Sequence, residues 1–170
     1  GKTTAFNLRL IPGRAYRFVV WADFVLEDSK DDLHYDTENL REIEVIPTNF
    51  ALSDESRDAY TGVEVVANFS NSAPIAIELK RPLGKLRVVT TDVKDMYNLL
   101  PEDVTVVYTS PIYTVFNAYE SDVVRTETIA HGINVKISES KYAGEWNTEG
   151  KVKEGLTLFT DYFFAAKEQE

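Results

Sequence analysis

Apolar and polar residues alternate with a period of two along most of this chain, the mark of strands that bury one face. Residues 3–10 set Phe6, Leu8 and Leu10 against Ala5, Asn7 and Arg9 and predict a strand, stopped by Ile11-Pro12-Gly13. The run 14–26 is the strongest. Tyr16, Phe18, Val20, Ala22 and Phe24 share one face, yet Val19, Trp21 and Val25 on the other are also apolar. A strand apolar on both faces sits centrally, under a second layer.

The pattern then loosens. Residues 27–36 are polar and acidic, 37–41 predict a helical turn capped by Asp36 or Thr37, and 43–46 a short strand stopped by Pro47. Residues 50–60 predict a surface loop or short helix. Val63, Val65, Ala67 and Phe69, then Ile75, Ile77 and Leu79, flank Asn71-Ser72-Ala73-Pro74 as a hairpin. A strand over 85–91 places Leu86 and Val88 on one face, and Pro82 and Gly84 before it suit a bulge or a crossing between sheets. A helical insert over 93–100 ends at Pro101, and strands follow over 104–108, 113–119 and, at an edge, 133–137. Residues 138–154 are polar and carry Trp146, and a dense strand covers 156–165.

Many short strands without a sustained helical period predict an all-β chain, an antiparallel β-sandwich with short helical inserts in its loops. The expected core is Tyr16, Phe18, Val20, Trp21, Phe24, Leu86, Val88, Val106, Leu158 and Phe164. One domain over 1–170 is expected, either whole or as the N-terminal domain of a longer protein.

Charge narrows the partners. A net charge of -10 with scattered Lys and Arg argues against nucleic acid, whose phosphates need clustered cations. No cysteine is present, which removes disulfides and thiolate chemistry, and no run approaches a membrane span. The chain opens on Gly1-Lys2, so any export signal or lipidated cysteine is expected to lie in a precursor segment.

The chain offers few groups for chemistry. His34 and His131 are far apart in dissimilar contexts and read as exposed loop residues, and no glycine-rich phosphate cradle occurs. Asp23 and Asp161 interrupt apolar strands. One reading is an acid of raised pKa in a cleft; the favoured one is a strand-edge carboxylate paired with Arg or Lys, such as Arg81, Lys85 or Arg87. The acidic run 28–32 lacks the order of an EF-hand loop; a solvated loop is the favoured reading and a non-EF cation site the lesser one. Trp146 and Tyr142 are loop aromatics that either contact a ligand, a glycan above all, or plug one end of the core. Asn68-Phe69-Ser70 fits a glycosylation sequon inside a predicted strand. No catalytic, cofactor or metal residue is assigned.

Three phrases carry a resemblance. Tyr16-Arg17-Phe18-Val19-Val20-Trp21-Ala22-Asp23-Phe24, Glu78-Leu79-Lys80-Arg81-Pro82-Leu83-Gly84-Lys85-Leu86 and Leu158-Phe159-Thr160-Asp161-Tyr162-Phe163-Phe164-Ala165 resemble strands of the fimbrillin-like (type V pilin) surface proteins of Bacteroidetes. The resemblance implies a transthyretin-like or immunoglobulin-like Greek-key sandwich, export to the outer membrane or fimbrium, and a lipid anchor in the precursor. It also implies assembly with pilin-like subunits by strand exchange, without catalytic residues. A glycan-binding surface lipoprotein is the alternative.

Overall fold

The computed structural model describes residues 3–70, 74–90, 103–127, 133–136 and 156–166. They form an all-β fold of antiparallel sheets, consistent with a sandwich, with no α-helix among them. In chain order the strands are β1 (Tyr16–Ala22), β2 (Tyr35–Asp36), β3 (Ile43–Val45), β4 (Tyr60–Val66), β5 (Leu83–Thr90), β6 (Asp103–Val106), β7 (Ile112–Asn117), β8 (Asp122–Glu127), β9 (Ile133–Lys136) and β10 (Leu156–Phe164). Two 3-10 turns, Pro47–Asn49 and Glu55–Arg57, lie between β3 and β4. The second is capped by Asp54, whose side chain accepts from the Ser56 amide.

The ladders are β1–β4, β5–β10, β6–β9 and the four-stranded β2-β3-β7-β8. β10 explains how they stack. Its pairing with β5 slips between Thr157 and Phe159, so Leu158 is an extra residue and the strand bends there. Beyond the bulge, Tyr162 and Phe164 turn to one side and pack with Tyr35, Ile43, Leu83 and Phe116. Phe159 turns to the other and packs with Val106, Leu86 and Val88. A strand that feeds two clusters must be apolar on both faces, as the run 156–165 is.

β1 joins the larger cluster through Val19 and Trp21. The Trp21 ring lies 5.6 Å from Tyr35, 6.1 Å from Phe116 and 6.3 Å from Phe164. The other face of β1 holds Tyr16, Phe18 and Val20, all half-buried. Tyr16 stacks on Phe18 and meets Phe69 edge-on. Phe24, expected in the core, is 53% exposed: β1 ends at Ala22, and the chain leaves the sheet before the alternation can bury another residue.

Two further expectations are corrected. Residues 3–10 form no strand; Phe6 and Leu8 are 78% and 63% exposed. Their alternation is real, but no ladder among the described residues receives it. Residues 37–41 make no helix, only a turn closed by the Glu42 amide on the Asn39 carbonyl. The hairpin from β4 is partly realised. Thr61 and Lys80 exchange both backbone bonds, and 77–79 then ride over Gly62, where a Cβ would stand 2.6 Å from the Glu78 carbonyl oxygen. The expected helix over 93–100 lies outside the described residues.

Candidate functional site

Two polar constellations are buried and one apolar segment is exposed. The first constellation centres on Asp161, fully buried in β10, and Arg57, 2% exposed at the end of the second 3-10 turn. The Arg57 guanidinium donates to Asp161, to the Tyr162 carbonyl at 2.7 Å and to the Ala51 carbonyl at 3.1 Å, and it stacks 4.0 Å over Phe50. Asp161 also receives the Tyr108 hydroxyl and the Tyr162 amide, the latter at 2.7 Å. The Arg57 carbonyl accepts from the Tyr35 hydroxyl at 2.6 Å. Both terminal nitrogens of Arg57 and both Asp161 oxygens are thus engaged internally, so the buried pair acts as a pin between β10 and the 50–57 loop.

Asp161 is therefore a paired carboxylate, but its partner is Arg57. Arg81 instead makes a two-pronged contact with Asp58 at 2.6 and 2.7 Å, and Lys85 binds Glu55 at 2.7 and 2.8 Å. Arg87, in β5, lies exposed opposite Thr160. The Lys85 hydrogen bond, helped by that from the Tyr162 hydroxyl, holds the Glu55 carboxyl below its ordinary range.

The second constellation corrects the reading of His34, which is buried at 4% exposure. Its Nε2 lies 2.7 Å from Ser56 Oγ and 3.5 Å from Asp54 Oδ2. Ser56 Oγ donates to Asp54 Oδ1 at 2.6 Å. With its only proton so engaged, the hydroxyl accepts from His34, which is the reverse of what a serine nucleophile with a histidine base requires. Burial pushes the His34 ring's pKa down and keeps it neutral, against the pull of Asp54. Asp23 is half-buried just beyond β1, and burial raises its pKa.

The exposed apolar segment is 3–11, with Phe6, Leu8 and Ile11 projecting into solvent. It is tied down at one end, where the Ile11 amide donates to the Tyr16 hydroxyl at 2.7 Å and the Gly13 amide to the Phe69 carbonyl. Beside it, β1 carries a ladder to β4 alone; its other edge pairs with no strand among the described residues.

A single family model matches the sequence from residue 1 to 170. The chain belongs to DUF6562. That model is described as a family of unknown function. No curated protein and no solved structure matches this DUF6562 chain.

Trp146, Tyr142 and His131 lie outside the described residues of the DUF6562 chain. Among those described, no three His, Asp or Glu side chains gather as ligands for a metal, the 28–32 run included, and no helix is long and apolar enough to cross a membrane. Asn68 is exposed just past the end of β4. Arg57, Ser56 and Tyr108 went unnoticed in the sequence, where they sit in ordinary polar stretches; the one available signal was an acid inside an apolar strand, which must find a buried cation somewhere.

Proposed function

We propose that this DUF6562 protein is a non-enzymatic cell-surface structural domain, a fimbrial-subunit or adhesin-like module that joins like domains by β-strand addition. The observation that carries the reading is the segment 3–10. It has the alternation of a half-buried strand, but Phe6 and Leu8 are solvent-exposed and it lies in no ladder among the described residues. Eight residues of strand span about 27 Å, which suits a seven-residue acceptor such as β1. Added to an open edge, such a segment gains main-chain hydrogen bonds, and its alternate side chains supply the fit. The resemblance of three phrases to strands of fimbrillin-like proteins supports the same reading, and with it export and a surface location.

The test is association in solution. Light scattering after gel filtration should show concentration-dependent oligomers, and Phe6→Asp with Leu8→Asp should abolish them at unchanged unfolding midpoint. A chain that stays monomeric at all concentrations, and does not bind a synthetic peptide of residues 3–10, would overturn the assembly reading. Protease shaving of intact cells tests location: protection of the protein until lysis sinks the surface assignment.

A further inference from the structure

The half-buried ring of Tyr119 carries two arginines. The Arg17 guanidinium carbon lies 4.2 Å from the ring centre and that of Arg41 3.9 Å, so the two carbons stand within about 8 Å of each other. The three residues come from β1, from the 39–42 turn and from the turn between β7 and β8. Those places are tied together. The amide of fully buried Ala118 donates to the Leu40 carbonyl at 2.9 Å. The Asn39 side chain accepts from the Arg41 amide and the Asn117 side chain from the Glu120 amide, each at 3.0 Å. The arginines thus meet on a surface fixed by the fold.

Their charge is not balanced. Two guanidiniums repel, and the ring attracts each without neutralising either. Among the described residues the pair has one carboxylate, exposed Glu120, whose Oε1 lies 3.6 Å from Arg17 Nη1. Arg41 makes no ion pair and no side-chain hydrogen bond among them. Glu42, its neighbour in sequence, accepts the Asn39 side-chain amide instead. The exposed Arg81 and Arg125 are different, for each holds a carboxylate at 2.6 or 2.7 Å. In a chain with 28 acidic residues against 18 basic ones, a shortage of carboxylates does not explain a bare arginine.

We propose that Arg17, Arg41 and Tyr119 form a surface binding site for a singly charged oxyanion, the chemistry of a sulfate ester or a carboxylate. Two guanidiniums and one carboxylate leave a single positive charge, which one such group neutralises. Its several oxygens supply acceptors for both arginines, whose N–H forks match oxyanions. Glu120 competes for Arg17, so the ligand's principal hold is Arg41. A free anion and the acidic group of a saccharide share this chemistry. The inference does not depend on how the domain assembles.

Nuclear magnetic resonance tests it on the whole labelled chain, titrated with methyl sulfate while sodium chloride holds the ionic strength constant. The Arg17 and Arg41 Nε–Hε signals and the Tyr119 ring protons should shift together and saturate. Arg41→Gln should weaken binding about tenfold or more, the loss of one charge-assisted contact, and Glu120→Gln should tighten it by freeing Arg17. Arg125→Gln removes the same charge from an arginine already paired with Glu44 and Glu127, and should leave binding unchanged. A sulfated disaccharide, set beside its unsulfated parent, identifies the source. Saturation by the sulfated sugar at lower concentration than methyl sulfate assigns the site to a saccharide, and equal affinity assigns it to free anions. Shifts in the unsubstituted chain that never saturate overturn the site. So does a loss in Arg125→Gln equal to that in Arg41→Gln. The substituted side chains are exposed, and an unchanged unfolding midpoint separates lost binding from lost fold.

Discussion

At the scale of single residues, the decisive contrast is between Arg57 and Phe24. Arg57 is charged and 2% exposed; Phe24 is aromatic and 53% exposed. Burial of the guanidinium is tolerable only because Asp161, the Ala51 and Tyr162 carbonyls and the Phe50 ring replace its water. Asp161→Leu strands that charge and should cost about 3–5 kcal/mol in urea unfolding, whereas Arg57→Met combined with Asp161→Leu should cost less than either single change. Additive losses would show that the two do not act as a pair. Trp21→Ala, which empties the place between Tyr35, Phe116 and Phe164, should cost about 3 kcal/mol, while Phe24→Ala should fall within about 0.5 kcal/mol of neutral. The sequence marked Asp161 as unusual but not Arg57, because the two are 104 positions apart and an arginine in a polar stretch carries no sign of burial.

At the scale of elements, the sequence located β1, β7 and β10 because strands that bury side chains on both faces leave an unmistakable apolar run, and β5 because Leu86 and Val88 alternate with exposed Lys85 and Arg87. It did not place β2, only two residues long, since Tyr35 is buried by three-dimensional neighbours and by its bond to Arg57 rather than by any local period. Nor did it separate a strand from a strand-like segment: residues 3–10 have the pattern without the partner, and pairing is not written in a single segment. Phe24 failed for a related reason, since periodicity does not say where a strand stops. Gly62 shows the opposite case, in which one small residue decides how two segments meet. Its missing side chain admits the Glu78 carbonyl and Ile77 side chain, which a Cβ would meet at 2.6 and 2.8 Å. Gly62→Ala should therefore push residues 77–79 off β4 and cost about 1–3 kcal/mol by overpacking. Amide exchange should report it, with the Thr61 and Lys80 amides losing protection while the Trp21 and Phe116 amides keep theirs.

For the whole molecule, the surface is acidic, with a net charge of -10, and the response to pH is set by a few groups whose ionisation differs between folded and unfolded chains. His34 is held neutral by burial, its pKa below the ordinary 6.5. The unfolded chain therefore takes up that proton first, so His34's contribution is complete above pH 6.5 and declines as pH falls through the window below it. The Asp54 and Asp58 carboxyls extend the decline. Burial pushes both up, but the Ser56 hydrogen bonds on Asp54 and the Arg81 contact on Asp58 outweigh it and leave them below 3.8. Their contribution is present above 3.8 and is lost as pH falls further. Asp23 runs the other way, since its raised pKa favours the folded state in acid and loses that benefit as pH rises. The expected profile has two acid limbs, a shallow one below pH 6.5 and a steep one below about pH 4. His34→Gln, which keeps a donor for Ser56 without a titrating ring, should flatten the shallow limb and leave the steep one in place. Unfolding midpoints measured from pH 3 to pH 8 decide it, and a shallow limb that survives the substitution would assign the effect to a group other than His34.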